Sequence, residues 1–152
     1  MTDDIIKIAP SFYGISMVPK NSWKEYGFAL LAIAGSDGEV SDPELEWLTI
    51  ECAEAVGIDE ETIAEWEEFD FESADLEELF YSFNTKSFGN FNKLLIYDAI
   101  RMSSADGDYA QEERETVNQA AKILKVSNET VLAVEALVDL EMAATKLRLT
   151  IL

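Results

Sequence analysis

A short phrase occurs twice in this chain, and the pair constrains the fold more than any other feature. Ser36-Asp37-Gly38-Glu39-Val40-Ser41-Asp42-Pro43-Glu44 is answered by Ala105-Asp106-Gly107-Asp108-Tyr109-Ala110-Gln111-Glu112-Glu113. In each copy a Glu follows the Asp of the Asp-Gly pair by seven residues, and apolar runs of helical period flank it on both sides. The match extends outward: Leu48 answers Val117, and Ile58 to Ile63 lies over Val126 to Val131 once a single residue is dropped. Repetition of this kind marks two related helix–turn–helix units. The glycine of each Asp-Gly pair can take left-handed backbone and reverse the chain between two rods.

The expected class is all-α, a compact bundle of about seven helices built from the two units. Asn21 or Ser22 caps the first, over 23–34, and Gly35 ends it. Ser41-Asp42-Pro43-Glu44 opens the second as a capping box with proline in the first turn, and Gly57 stops it. Asp59 caps a third helix to Phe69, and Ser73 a fourth from Ala74 to Phe83. The fifth carries Phe91, Leu94, Leu95, Asp98, Ala99 and Met102 towards the second bend, and the sixth spans 110–125. Ser127 or Asn128 caps a long last helix through Val131, Val134, Leu137, Val138, Leu140, Ala144 and Leu147. Pro10, Gly14 and Pro19 make residues 1–22 an irregular arm packed on the domain, leaving 23–152 as a single helical domain.

Charge and missing residue types exclude several functions. The net charge is −20, and residues 25–85 hold nineteen acidic side chains and no Lys or Arg. Such a surface repels phosphate backbones and excludes ordinary nucleic-acid binding. It attracts cations or a protein partner with a basic surface, and it also serves as a solvated face. The chain contains no histidine, so the usual general base and the usual nitrogen ligand are missing. A protein metal site must then be built from oxygen, which points to magnesium, calcium or manganese. The single cysteine, Cys52, falls on an apolar helix face and reads as core. No apolar run approaches the roughly 20 residues of a membrane span. Asp3 and Asp4 have the wrong sign for a leader peptide, and the expected location is cytoplasmic.

The bends themselves concentrate carboxylates. Glu44 and Glu113 fall in the first turn of the helix after each bend, close to Asp37 and Asp106. On an architectural reading, Asp accepts N–H bonds across the turn and Glu completes a cap, a placement worth about 0.3–1 kcal/mol at a helix N-terminus. In the second copy, however, the capping Ser is replaced by Ala110 while Glu113 stays. Glu39 and Asp42 in one bend, and Asp108 and Glu112 in the other, add further oxygens with no lysine beside them. Together they would suit a hard divalent cation. The spacing is not that of an EF-hand, because Gly directly follows the Asp and Glu stands at position 8 rather than 12.

The phrase from Ala34 to Ser41 with Glu44 and Leu48, repeated as Ser104-Ala105-Asp106-Gly107 with Glu113 and Val117, resembles the TerB-like domain. That domain occurs in tellurite-resistance TerB proteins and in DjlA-type co-chaperones. The resemblance covers about Glu25 to Met142. It implies a cytoplasmic helical domain with a role in tellurite or general stress response. It also implies an acidic cluster proposed to bind divalent metal: here Asp37, Glu44, Asp106 and Glu113. Gly35-Ser36 departs from the Ala-Ala or Ala-Asp pair more usual in the family, and the departure falls in the first half-site.

Two further expectations concern partners and activity. Trp47 and Ile50 project from the core stripe of their helix, whereas their counterparts are Thr116 and Gln119. That apolar pair either packs beneath Ile5, Ile6, Phe12 and Tyr13 of the arm or forms the contact of a homodimer or other partner. No nucleophile–base pair, phosphate loop or cofactor fingerprint is present, so the expected function is non-enzymatic binding. The alternative is an acidic, charge-mimicking interaction scaffold with no metal site.

Overall fold

A computed structural model describes residues 15, 18, 20–79, 81, 91–107 and 109–152. Helix α1 is Trp23–Ala34, extended by a tight 3-10 turn at Gly35–Asp37. Rod α2 joins three pieces: Asp42–Glu46, a wide π turn at Trp47–Cys52, and Ala53–Val56. Then follow α3 (Glu60–Glu68), a helical segment described at 76–79 and 81 whose expected end at Phe83 lies outside the described residues, α4 (Phe91–Ser103), α5 (Gln111–Ile123) and α6 (Asn128–Ile151). No strand occurs among the described residues, and the class is all-α. The arm expected over 1–22 lies mostly outside the described residues, as do Ile5, Ile6, Phe12 and Tyr13. Ile15 and Val18, at its end, are buried, and Val18 accepts a hydrogen bond from Trp23 Nε1 at 3.0 Å.

The repeat is visible in the backbone. Gly38 and Gly107 both take positive φ, 101° and 84°, as a chain-reversing bend requires. Both second helices start from extended caps, Ser41 and Ala110, and both end in left-handed residues: Gly57 at φ 83° and Lys125 at φ 60°. From cap to terminator the first rod is one residue longer than the second. The π turn at Trp47–Cys52 absorbs that residue, since a π turn is a one-residue insertion into an α-helix. Its position explains why the two copies align without a gap through Leu48 and Val117 but require a deletion before Ile58 and Val126.

Packing crosses between the units. Helix α1 lies on α4, the 3-10 turn of the first unit packs on α5 of the second, and the start of α2 packs on α4. The first bend therefore rests against the second unit, and Ser104 and Ala105 at the second bend share a cleft with Pro43 and Glu46 of the first. The core runs through Tyr26, Leu30, Ile33, Leu48, Leu95, Ile100, Met102 and Val117. Cys52 lies within it, and burial pushes its thiol up to about 12, which leaves it unreactive. Trp66 of α3 is buried flat against Gly27, donating from Nε1 to the Lys24 carbonyl at 3.2 Å. One ion pair is buried as well: Arg101 meets Asp98, which also accepts from the Tyr26 hydroxyl at 2.7 Å. Burial raises the Asp98 carboxyl while Arg101 opposes the shift. A lone charge there would be costly, so the pair and the tyrosine satisfy one another.

One sequence expectation is corrected. The helical turn at 76–79 is opened by Asp75, whose Oδ1 accepts from Glu78 N, while the Ser73 hydroxyl donates to Asp70 instead. The last helix divides its apolar residues between two faces. Val131 and Val138 are buried and Val134 is half-buried, but Leu137, Leu140, Ala144 and Leu147 are exposed. Apolar residues spread round a long helix fit two faces, and packing against α4 and α5 selects only one of them.

A Cβ added at Gly27 would lie 2.1 Å from the Trp66 ring. Gly27→Ala is therefore expected to destabilise the protein by about 1–3 kcal/mol despite the better helix propensity of alanine. Urea unfolding with an unchanged m-value checks it, and equal or greater stability would show that the ring moves aside freely.

Candidate functional site

The two glutamates of the repeated phrase are drawn out of water. Glu44 is 2% exposed and Glu113 1% exposed, values rare for carboxylates in a protein this acidic. Each closes its own helix first. Glu44 Oε1 accepts from Ser41 N at 2.8 Å, and Ser41 Oγ accepts in return from Glu44 N at 3.3 Å. Glu113 Oε1 accepts from Ala110 N at 2.9 Å, half a capping box, because Ala110 has no hydroxyl to return. The replacement of Ser by Ala thus removes one hydrogen bond and leaves the carboxylate in place.

The remaining oxygen of each side chain carries the chemistry. Glu44 Oε2 and Glu113 Oε2 are both buried; as carboxylates they meet no donor, and with one of them protonated the two side chains hydrogen-bond to each other. The two carboxyls interact across the junction of the units, and their titrations depend on one another. Burial raises Glu44 above the usual carboxylate range, and burial together with the Glu44 carboxyl pushes Glu113 up to about 9. With no bound cation, two such groups hold one proton between them near neutrality, because two adjacent buried negative charges are too costly.

The aspartates act crosswise. Asp106 of the second bend raises Glu44 of the first, and Asp37 of the first raises Glu113 of the second. This follows from each bend resting on the opposite unit. The four residues singled out in the sequence therefore belong to one electrostatic neighbourhood. Their roles differ, however: Asp37 and Asp106 are exposed, and Asp37 Oδ1 accepts from Glu39 N at 3.1 Å, as the architectural reading requires. Glu39, Asp42 and Glu112 are exposed around the rim, and Asp108 lies outside the described residues. Among the described residues no three acidic side chains are already gathered in metal-holding geometry. The arrangement is a buried carboxyl pair with two aspartates above it. Arg114 is engaged elsewhere, with Glu135 at 2.7 Å, and Arg101 with Asp98.

Trp47 and Ile50 part company. Trp47 is half-buried, with the Arg101 guanidinium 5.4 Å from its ring centre, and it lines a cleft of about 440 Å³ with Arg101, Met142 and Lys146. Ile50 is exposed. No helix among the described residues is long and apolar enough to cross a membrane.

Comparison with solved structures finds the same arrangement of helices. A tellurite resistance protein from Nostoc punctiforme superimposes with a TM-score of 0.72 at 25% identity, over 95% of this chain and 92% of that one. This chain is TerB-like in fold. No family model and no curated protein matches it. The duplicated bend is thus part of a TerB-like bundle that extends well beyond the repeat itself.

The carboxyl pair gives the TerB-like bundle a defined pH response. Its folded state binds more protons than the unfolded chain, so stability falls as pH rises from the unfolded carboxylate range near about 4.3 towards about 9. Glu113→Gln keeps the bond to Ala110 and supplies an N–H to Glu44. It should flatten that fall by at least about 1.4 kcal/mol, the equivalent of one pKa unit. Urea unfolding at a series of pH values measures it, and parallel wild-type and variant curves would contradict it.

Proposed function

We infer that this protein is a non-enzymatic TerB-like module of tellurite or stress resistance, and that its acidic junction takes up a divalent cation. The supporting observation is the pair of buried carboxyls, Glu44 and Glu113, whose Oε2 atoms meet no donor once both are ionised. A hard cation is a natural counterpart for two converging carboxylates in a chain that lacks histidine. Glu44 and Glu113 would supply the protein oxygens at the base of the site, with Asp37 and Asp106 completing the negative field. The cation would neutralise the pair in place of the shared proton and hold the two units together at their junction. Metal uptake therefore releases a proton, and affinity rises with pH. The name of the structural neighbour supports the tellurite context.

The second reading, an acidic interaction scaffold, draws on α3. Glu60, Glu61, Glu67 and Glu68 are exposed there, and among the described residues Glu65 alone of these glutamates has a basic partner, Lys24 at 3.3 Å. Such a face would meet a basic protein surface with the carboxyl pair untouched.

Thermal unfolding and calorimetry with magnesium, calcium and manganese distinguish the two. A cation at one hundred times its dissociation constant should stabilise the wild-type protein by about 2.7 kcal/mol. Chelator should reverse the gain, and Glu44→Gln with Glu113→Gln should abolish it. Absence of a shift with every cation removes the metal reading. In the scaffold reading, reversing the charge of Glu60, Glu61, Glu67 and Glu68 would instead abolish capture of a basic partner, while the double Gln variant would retain it.

A further inference from the structure

The outer face of α6 carries a heptad seam that nothing in the described chain covers. Ala133, Leu137, Leu140, Ala144, Leu147 and Ile151 recur at intervals of four, three, four, three and four residues. All six are exposed: Leu140 by 68%, Leu147 by 60% and Ile151 by 67%. The inward stripe of the same helix, Val131, Val134 and Val138, lies on the opposite side. A 3.5-residue apolar period on an exposed helix face selects another helix as its occupant, not a small molecule or an extended peptide. The seam is roughly 28 Å long at the α-helical rise.

We propose that this seam pairs with the α6 seam of a second copy of the chain, as an antiparallel two-helix coiled coil. Two features select a second copy in that orientation. The first is charge. The acidic residues of α6, Glu129, Glu135, Asp139 and Glu141, all precede residue 142, while its basic residues, Lys146 and Arg148, both follow it. Antiparallel pairing about Met142 lays the stretch holding Glu135, Asp139 and Glu141 along the one holding Lys146 and Arg148, whereas parallel pairing lays like charge along like. Glu129 falls outside the paired length, and Glu135 and Glu141 stay engaged with Arg114 and Tyr97 of their own subunit. The second is register. With the two-fold axis at Met142, Leu137 meets the partner copy's residue 147, Leu140 meets 144, and Ala133 meets 151. The seam is therefore complementary to its own reverse along its whole length, as a two-fold contact demands.

The flanks agree. Ala136 and Ala143 line one side of the seam and permit close approach of the helices. Glu141, on the other side near the axis, is turned back to its own subunit, where it accepts the Tyr97 hydroxyl at 2.6 Å. That bond holds its charge away from the corresponding residue across the axis.

Sedimentation of the full chain over a concentration series tests the proposal. The wild-type protein should approach twice its 17.0 kDa mass, and Leu140→Glu with Leu147→Glu should return it to 17.0 kDa. Far-UV helicity and melting temperature should confirm that the variant is folded. Orientation is read by mild oxidation: Ala143→Cys should cross-link to its own copy across the axis, and Thr150→Cys should not. Cys52 is buried and stays silent in this assay. A chain that remains monomeric at every concentration, a dimer that survives the double Glu substitution, or cross-linking by Thr150→Cys but not Ala143→Cys would each overturn it.

Discussion

The junction between the two units depends on a pair of carboxyl groups that use their oxygens in opposite directions. With one oxygen each, Glu44 and Glu113 close the first turns of α2 and α5. With the other, each reaches into the interface, where an ionised carboxyl meets no donor except the proton of its counterpart. Capping requires the residue to sit at a helix start, and duplication requires two such starts. Crosswise packing of each bend on the opposite unit brings the two together. The result is a pair that is satisfied locally and strained globally. A shared proton or a bound cation relieves that strain, and the two compete.

The rest of the bundle keeps this arrangement rigid. The Asp98–Arg101 pair, tied to Tyr26, links α4 to α1 inside the core. Arg101 then lies between the rings of Tyr97 and Trp47 at 4.4 and 5.4 Å, joining α4 to the π turn of α2. Trp66 docks on Gly27 and closes α3 over α1. These contacts are costly to rearrange, because an interior packed to this density deforms little. The junction thus has little freedom to spread its two negative oxygens apart.

Much of this was legible in the residues. The Asp-Gly phrase with Glu seven positions on located both bends, both caps and the glutamates that meet, because turn and cap chemistry act over a few residues. The survival of Glu113 beside Ala110 marked a carboxylate kept without its reciprocal cap, and the structure buries it beside Glu44. Burial of the pair was not legible, since it arises from packing between units 69 residues apart in the chain. The extra residue in α2 appeared as an alignment gap, but only the backbone places it at the π turn. Asp98 could be assigned to a core-facing helix position, yet its partners Tyr26 and Arg101 could not. The inward face of α6 was not legible, because its apolar residues satisfy two periods at once. One is used within the subunit, and the other forms the heptad seam.

The protonation state of the junction is the most direct test of this account. Carbon-13 labelling of glutamate, with the side-chain carboxyl signals of Glu44 and Glu113 assigned by substitution, reports it residue by residue. Near neutrality and without divalent cation, the pair should retain one proton, and saturating cation should expel it. If both carboxyls instead ionise together in the ordinary range near about 4.3, indifferent to cation, the two side chains do not share a buried site and the central claim fails.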